Sequence, residues 1–182
     1  MSLSKFVWFE YVSKDLAKAQ GFFGELFNWS VKTVPMPGGD YAMISIGDRT
    51  IGGYTTPPDG APPEAHWLSH LGVADARATA KQVETLGGKV LKAPFQVDGF
   101  GTMAIVADPH GGPLALWQPA KQEPQPAPAD GTFCWNELAS KDPAASVEFY
   151  SKLGGFTAKA QDMGPMGTYY VLEADGPRAG IM

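Results

Sequence analysis

The chain has 182 residues, of which 44% are apolar and 18% charged, so it can form a core and is not a disordered protein. Its net charge of −5 argues against binding of nucleic acid, and no apolar run approaches the roughly 18 residues that a membrane span needs. The single cysteine excludes an internal disulfide, and the first residues do not resemble a signal peptide, so we expect a cytoplasmic protein.

The first predicted elements are a strand and a helix near the N-terminus. Residues 6–13 alternate between two faces, which is the period of a strand. Asp15 stands where its carboxylate can cap a helix, and apolar residues at helical spacing follow as far as Phe27. Three further strands are predicted at 29–34, 41–47 and 49–55.

The same order of elements is predicted twice more. A second module begins near residue 66 and has Asp75 at the helix cap, and a third begins near residue 132 and has Asp142 there. Strands of the second module are predicted at 89–92, 95–98, 102–107 and 113–118. The fold class is therefore α+β, built from repeated βαβββ modules.

An internal repeat at an offset of 127 residues supports this division. Residues 6–15 match residues 133–142 in Phe, Trp, Glu, Ser, Lys and Asp, and the register continues as far as Gly53 and Gly180. Modules 5–58 and 66–119 are predicted to pair into a curved-sheet domain over 1–120. A proline-rich linker at 121–131 follows, and 132–182 is predicted to be the first module of a second domain that ends before completion.

Several motifs resemble the glyoxalase/bleomycin-resistance/dioxygenase superfamily, also called vicinal oxygen chelate. They are the segment 12–15 that closes the first strand, the pair Phe22-Phe23, the pair Gly52-Gly53 and the run 108–119. The Trp-x-Glu-Leu sequence at residue 135 is similar to the later domain of tandem glyoxalase-like proteins. This superfamily includes lyases, isomerases, oxygenases and drug-binding proteins, so the resemblance implies the fold more strongly than a reaction.

The resemblance also implies where a metal ion would bind. Its ligands, His or Glu, come from the first and last strands of each module. Those positions carry Trp8, Leu68, Ala115 and either Gly53 or Tyr54. Trp, Leu, Ala and Gly side chains do not bind divalent metals, and Tyr seldom does. We therefore expect neither a metal ion nor another cofactor.

Polar residues lie two positions after the implied metal-ligand positions on the first strand of each of the first two modules, and so on the same strand face. Glu10 and His70 each lie five residues before a capping aspartate, and the pairing of the first two modules is expected to bring them together. A carboxylate beside an imidazole can orient it as a general base, so both residues are candidate catalytic groups. The alternatives are a structural pair in the core and a shifted metal site.

Aromatic and thioether side chains are the candidate ligand contacts. Trp8, Tyr54, Met103 and Trp117 are predicted to line the cavity of the curved sheet, where an apolar surface with few polar groups would hold a small organic molecule. The alternative is that Trp8 and its repeat Trp135 only fill the core.

Three functions remain open from the sequence. The first is metal-free binding of a small organic molecule, the second a metal-dependent lyase, isomerase or dioxygenase, and the third an interaction scaffold without small-molecule chemistry. Besides the ligand, the expected partner is a second copy of the chain, bound through the incomplete third module. Nucleic acid and membranes are not expected as partners.

Overall fold

A computed structural model describes residues 5–36, 39–61, 64–121 and 129–182. The predicted βαβββ order is present three times, which confirms the α+β class with few helices. The first module has β1 (Phe6–Val12), α1 (Leu16–Phe27), β2 (Ser30–Met36), β3 (Gly39–Ile46) and β4 (Arg49–Thr55). The second has β5 (His66–Gly72), α2 (Ala76–Thr85), β6 (Lys89–Val97), β7 (Gly101–Ala107) and β8 (Pro113–Pro119). The third has β9 (Glu137–Leu138), α3 (Pro143–Gly154), β10 (Thr157–Asp162), β11 (Thr168–Glu173) and β12 (Pro177–Ile181).

The start of each helix confirms the capping prediction. The carboxylates of Asp15, Asp75 and Asp142 accept hydrogen bonds from backbone N–H groups of the first helical turn. These bonds satisfy donors that have no partner within the helix. Within the described part of the chain, no helix is both long and apolar enough to cross a bilayer.

Two predicted strands of the second module are one strand in the structure. β6 runs through 89–92 and on to Val97, and its pairing with β7 shifts register twice, around Lys92. Pro94 lies in this irregular stretch and has no N–H to donate, which an edge strand tolerates. Since β6 is at the end of the strand order, the proline interrupts the register without ending the strand.

The strand predicted from residue 133 is shorter than expected. β9 contains only Glu137 and Leu138, because Phe133 stacks on Phe9 with ring centroids 4.1 Å apart. The indole of Trp29 also donates a hydrogen bond of 2.7 Å to the carbonyl of Gly131. These contacts hold the start of the third module away from a strand conformation.

The chain divides into two compact units. The N-terminal unit contains 8–69 and the described part of 124–134, and the C-terminal unit contains the described part of 1–7, together with 70–121 and 135–182. Residues 122–128 of the predicted linker lie outside the described residues. The second and third modules thus share a unit, whereas the predicted domains 1–120 and 132–182 stay a prediction.

The N-terminal unit has strands in the order β2-β3-β4-β1 with α1 packed on one face. β1 runs parallel to β4, and Glu10 lies opposite Gly53. The core on the helix side consists of Ala19, Ile44 and Tyr54 with the surrounding rings of Tyr11, Phe23, Trp29 and Trp67.

The C-terminal unit has two four-stranded arrangements, β5-β8-β7-β6 and β10-β11-β12-β9. Helices α2 and α3 share its apolar core, which contains Leu71, Val83, Leu116, Phe149 and Leu172. The Tyr150 hydroxyl of α3 donates a buried hydrogen bond of 3.0 Å to Asp108, in the turn before β8. Since Asp108 also accepts the backbone N–H of His110 and of Gly112, this bond joins the third module to an ordered turn of the second.

Candidate functional site

A tyrosine hydroxyl links two side chains of β1, the indole of Trp8 and the carboxylate of Glu10. The Tyr41 hydroxyl of β3 donates a hydrogen bond of 2.7 Å to Oε1 of Glu10, and the Trp8 indole N–H donates one of 3.0 Å to the same hydroxyl. Trp8 and Glu10 lie on the same face of β1 because side chains two residues apart point the same way. We call Trp8, Glu10 and Tyr41 the first triad.

Gly53 makes room for this tyrosine. It lies opposite Glu10 on the neighbouring strand, and a Cβ atom built there would overlap the Tyr41 hydroxyl and ring. Any other residue at this position would therefore displace Tyr41 from its two hydrogen bonds.

Burial fixes the proton on the tyrosine. The pKa of Tyr41 is raised far above its ordinary value, first by burial and then by the adjacent Glu10 carboxylate. Glu10 itself is only 8% exposed. Because the phenol remains neutral, its O–H is available to donate to Glu10 while its oxygen accepts from Trp8.

The same arrangement recurs in the third module. Trp135 donates a hydrogen bond of 2.9 Å to the Tyr169 hydroxyl, which donates one of 2.8 Å to Oε2 of Glu137. A Cβ atom at Gly180 would overlap that hydroxyl, as at Gly53. We call Trp135, Glu137 and Tyr169 the second triad.

The two triads differ in exposure. Trp135 is 37% exposed and Glu137 is also exposed, whereas Trp8 is half-buried and Glu10 is buried. The pKa of Tyr169 is also raised, by burial and by the hydrogen bond to Glu137. Identical contacts therefore exist in a buried and in a partly solvated setting.

The tyrosines of the triads are functional candidates that the sequence analysis missed. At the offset of 127 residues Tyr41 aligns with Thr168, and Tyr169 follows one residue later. A search for tyrosines at an offset of 128, together with the repeated Trp-x-Glu and the repeated glycine, would have found them.

The metal positions implied by the resemblance do not fit a divalent ion. In the first module, the Trp8 indole donates a hydrogen bond to the Tyr41 hydroxyl, and the Tyr41 side chain occupies the space beside Gly53 that a Cβ atom would need. Leu68 and Ala115 are buried and have no donor atoms in their side chains. Across the described ranges, no three or more His, Cys, Asp or Glu residues are grouped so that they could hold a metal.

Three predicted site residues share one face of the C-terminal unit. Met103 of β7 lies directly opposite Trp117 of β8. His70 of β5 lies opposite Ala115 of β8, which is two residues before Trp117 and therefore on the same face. Phe95 of β6 lies opposite Met103 on the other side of β7, and the sequence analysis did not predict it as a site residue. We call Phe95, Met103 and Trp117 the ring-and-thioether row; all three side chains are half-buried, whereas His70 is buried.

The remaining predicted residues have different surroundings. Tyr54 is 3% exposed and packs edge-on against Tyr11 in the core of the N-terminal unit, on the face of β4 opposite to that of Gly53. Glu10 belongs to the N-terminal unit and His70 to the C-terminal unit. Their pairing as acid and base stays a prediction.

Known proteins similar in sequence include a protein named as a putative glyoxylase and one named for anthracycline biosynthesis. A family model described as bleomycin resistance protein-like N-terminal matches residues 5–47. The protein named "Putative glyoxylase CFP32" of Mycobacterium tuberculosis is 28% identical over 178 residues, covering 95% of this chain and 68% of that protein. The anthracycline biosynthesis protein DnrV of Streptomyces peucetius is 32% identical over 158 residues, covering 79% of this chain and 58% of that protein.

Solved structures share the fold. A Mn(II)-bound glyoxalase from Novosphingobium aromaticivorans has a TM-score of 0.70 and 16% identity, covering 98% of this chain and 61% of that chain. BphC, a halotolerant catechol dioxygenase, has a TM-score of 0.66 and 11% identity, covering 98% of this chain and 64% of that chain. The family model and the sequence relatives support the glyoxalase/bleomycin-resistance/dioxygenase superfamily, and the solved structures show the shared fold. The chain spans less than two thirds of these two structures and of the Streptomyces protein.

Proposed function

We propose that this protein binds a small, flat organic molecule and does so without a metal ion. The observation that carries the proposal is the first triad. Where the superfamily resemblance implies metal ligands, the Tyr41 side chain contacts both Trp8 and Gly53. A neutral phenol hydrogen-bonded to Glu10 satisfies the carboxylate that a cation would otherwise have to use.

The ring-and-thioether row is the proposed ligand surface. Phe95, Met103 and Trp117 present two aromatic rings and a polarizable thioether on adjacent strands, on the face away from the apolar core. Such side chains favour flat aromatic molecules through stacking and sulfur–ring contacts. His70 lies on the same face but is buried, so the proposed ligand contacts are assigned to the row alone.

The relatives favour a ligand with fused rings. The Streptomyces peucetius protein is named for anthracycline biosynthesis. A polycyclic ligand of that kind matches a row of side chains that spans three neighbouring strands. The metal-dependent alternative would need donor side chains where this chain has Trp8, Leu68 and Ala115.

Calorimetric titration with anthraquinone-2-sulfonate tests the ligand proposal. Trp117→Ala is expected to weaken binding about tenfold, because an aromatic contact contributes about 1–1.5 kcal/mol. The matched control is Phe100→Ala, which removes an exposed ring from the turn between β6 and β7 and should leave binding unchanged. Equal loss in both variants, or none in Trp117→Ala, would contradict the assignment of the row.

Equilibrium dialysis against Mn²⁺, Ni²⁺ and Zn²⁺ tests the metal proposal separately. We expect no stoichiometric binding at micromolar metal concentrations. One equivalent bound by the wild type and lost in Glu10→Gln would show that the triad opens to hold an ion, and the metal-free proposal would be wrong.

A further inference from the structure

A lysine ammonium lies over one ring of the ring-and-thioether row. Nζ of Lys92 is 3.9 Å from the centroid of the Phe95 ring, within the range of a cation–π interaction. Both residues belong to β6, where Lys92 is exposed and Phe95 is half-buried. A positive charge is therefore held at the β6 end of the row while it remains in contact with water.

Strand register places this lysine on the same face as the row. Lys92 lies opposite Ile105 of β7, and Phe95 lies opposite Met103. Ile105 and Met103 are two residues apart and point to the same side of the sheet, and directly opposed residues share a face. Val106 points to the other side, into the apolar core that contains residues of α2. Lys92 thus belongs to the proposed ligand surface and not to the helix side.

The charges of these strands have one sign. Besides Lys92, Lys89 lies opposite Ala107, on the same face of β7 as Met103. The strands β6, β7 and β8 are described completely and contain no Asp or Glu. The chain as a whole has a net charge of −5, so the positive sign of this face is opposite to that of the protein. Local charge here favours an anion over a cation.

The row and the lysine together define an orientation for a ligand. Neighbouring strands are about 4.8 Å apart, so the row extends about 10 Å from β8 across β7 to β6. A fused-ring molecule that covers Trp117 and Met103 brings its far end to Phe95, beside Nζ of Lys92. The N–H donors of an ammonium are not all directed at the ring, so a negative group at that end of the ligand can accept from them.

We propose that this surface selects flat aromatic anions and that Lys92 recognises their negative group. The inference rests on the proposed function, because it assigns a chemical class to the ligand of the same row. Carboxylate, sulfonate and phenolate substituents share the required chemistry, a negatively charged oxygen at one end of a fused-ring system. Fused-ring cations are disfavoured.

Calorimetric titration with anthraquinones that differ in a single substituent tests the charge preference. The compounds are anthraquinone-2-sulfonate, the neutral 2-(hydroxymethyl)anthraquinone and the cationic 2-(aminomethyl)anthraquinone. The sulfonate should bind about fivefold more tightly than the neutral compound, as expected for a partly solvated ion pair, and the cation should bind most weakly. Raising NaCl from roughly 0.05 to 0.5 M should remove most of the sulfonate's advantage, because salt screens exposed charges.

Variants of Lys92 separate charge from stacking. Lys92→Gln should weaken binding of the sulfonate about fivefold and leave binding of the hydroxymethyl compound unchanged. Lys92→Arg should keep the sulfonate affinity within about twofold, because a guanidinium retains the charge and also stacks on an aromatic ring. The matched control is Lys81→Gln, which removes the same charge from an exposed position of α2 and should leave all three affinities unchanged.

The outcomes distinguish this inference from the proposed function. Equal affinity for the three compounds would overturn the selectivity for anions and leave the ligand surface in place. Equal loss of both the sulfonate and the hydroxymethyl compound in Lys92→Gln, or the same loss in Lys81→Gln, would also overturn the role of Lys92. If the wild type binds none of the three compounds, the proposed function is wrong and this inference is wrong with it.

Discussion

The two triads allow one interaction to be compared at two depths. Tyr41→Phe removes only the hydroxyl that donates to Glu10 and accepts from Trp8. Tyr169→Phe removes the same hydroxyl from Glu137 and Trp135. The ring remains in both variants, so packing over the neighbouring glycine is unchanged and the difference reports the polar contacts.

Burial should decide the size of the effect. A hydrogen bond to a charged group contributes roughly 1.5–3 kcal/mol when solvent does not replace it, so Tyr41→Phe should lower the free energy of unfolding by about 2–3 kcal/mol. Around Tyr169, Glu137 is exposed and Trp135 is 37% exposed. Water can replace the lost hydroxyl there, and the expected cost is about 0.5–1 kcal/mol.

Urea unfolding at pH 7 measures both free energies, and hydrogen exchange resolved by peptide assigns them. Tyr41→Phe should increase exchange in β1 and β3, whereas Tyr169→Phe should affect only β9 and β11. Equal destabilisation by the two variants, or a Tyr41→Phe protein within about 0.5 kcal/mol of the wild type, would refute the reasoning that burial makes the first triad strong.

Two further predictions concern the glycine positions and the buried tyrosines. Gly53→Ala should cost about 1–3 kcal/mol in urea unfolding, because the new methyl group displaces Tyr41, whereas Gly21→Ala at an open position should stabilise the chain by about 0.5–1 kcal/mol. An unchanged Gly53→Ala protein would contradict the close approach. Burial raises the pKa of both Tyr41 and Tyr150 above 10.0, so above pH 10 the unfolded chain loses these protons and the folded chain keeps them. Stability should therefore fall by about 1.4 kcal/mol per pH unit for each tyrosine, and urea midpoints from pH 9 to 11 should show a shallower fall in Tyr41→Phe and in Tyr150→Phe.

Local signals account for most of what could be predicted. The capping aspartates, the proline that begins α3 and the alternation of β1 act over a few residues, so their consequences can be read without knowing the fold. The 127-residue repeat adds long-range information, because it equates Gly53 with Gly180 and Trp8 with Trp135 before any contact is known. Where prediction erred, a distant contact intervened, as when Phe133 stacks on Phe9 and shortens β9.

The sequence alone determined the order of the modules and the strand face that carries Trp8 and Glu10. It also determined that the implied metal positions lack donor side chains. Only the tertiary structure placed Tyr41 between those two residues, because its strand is joined to β1 through β4 and the missing side chain of Gly53 leaves the space. Residue spacing defines which face a side chain occupies within one element. Which hydroxyl reaches that face from another strand depends on strand order and register, and these are set by the packing of the whole sheet.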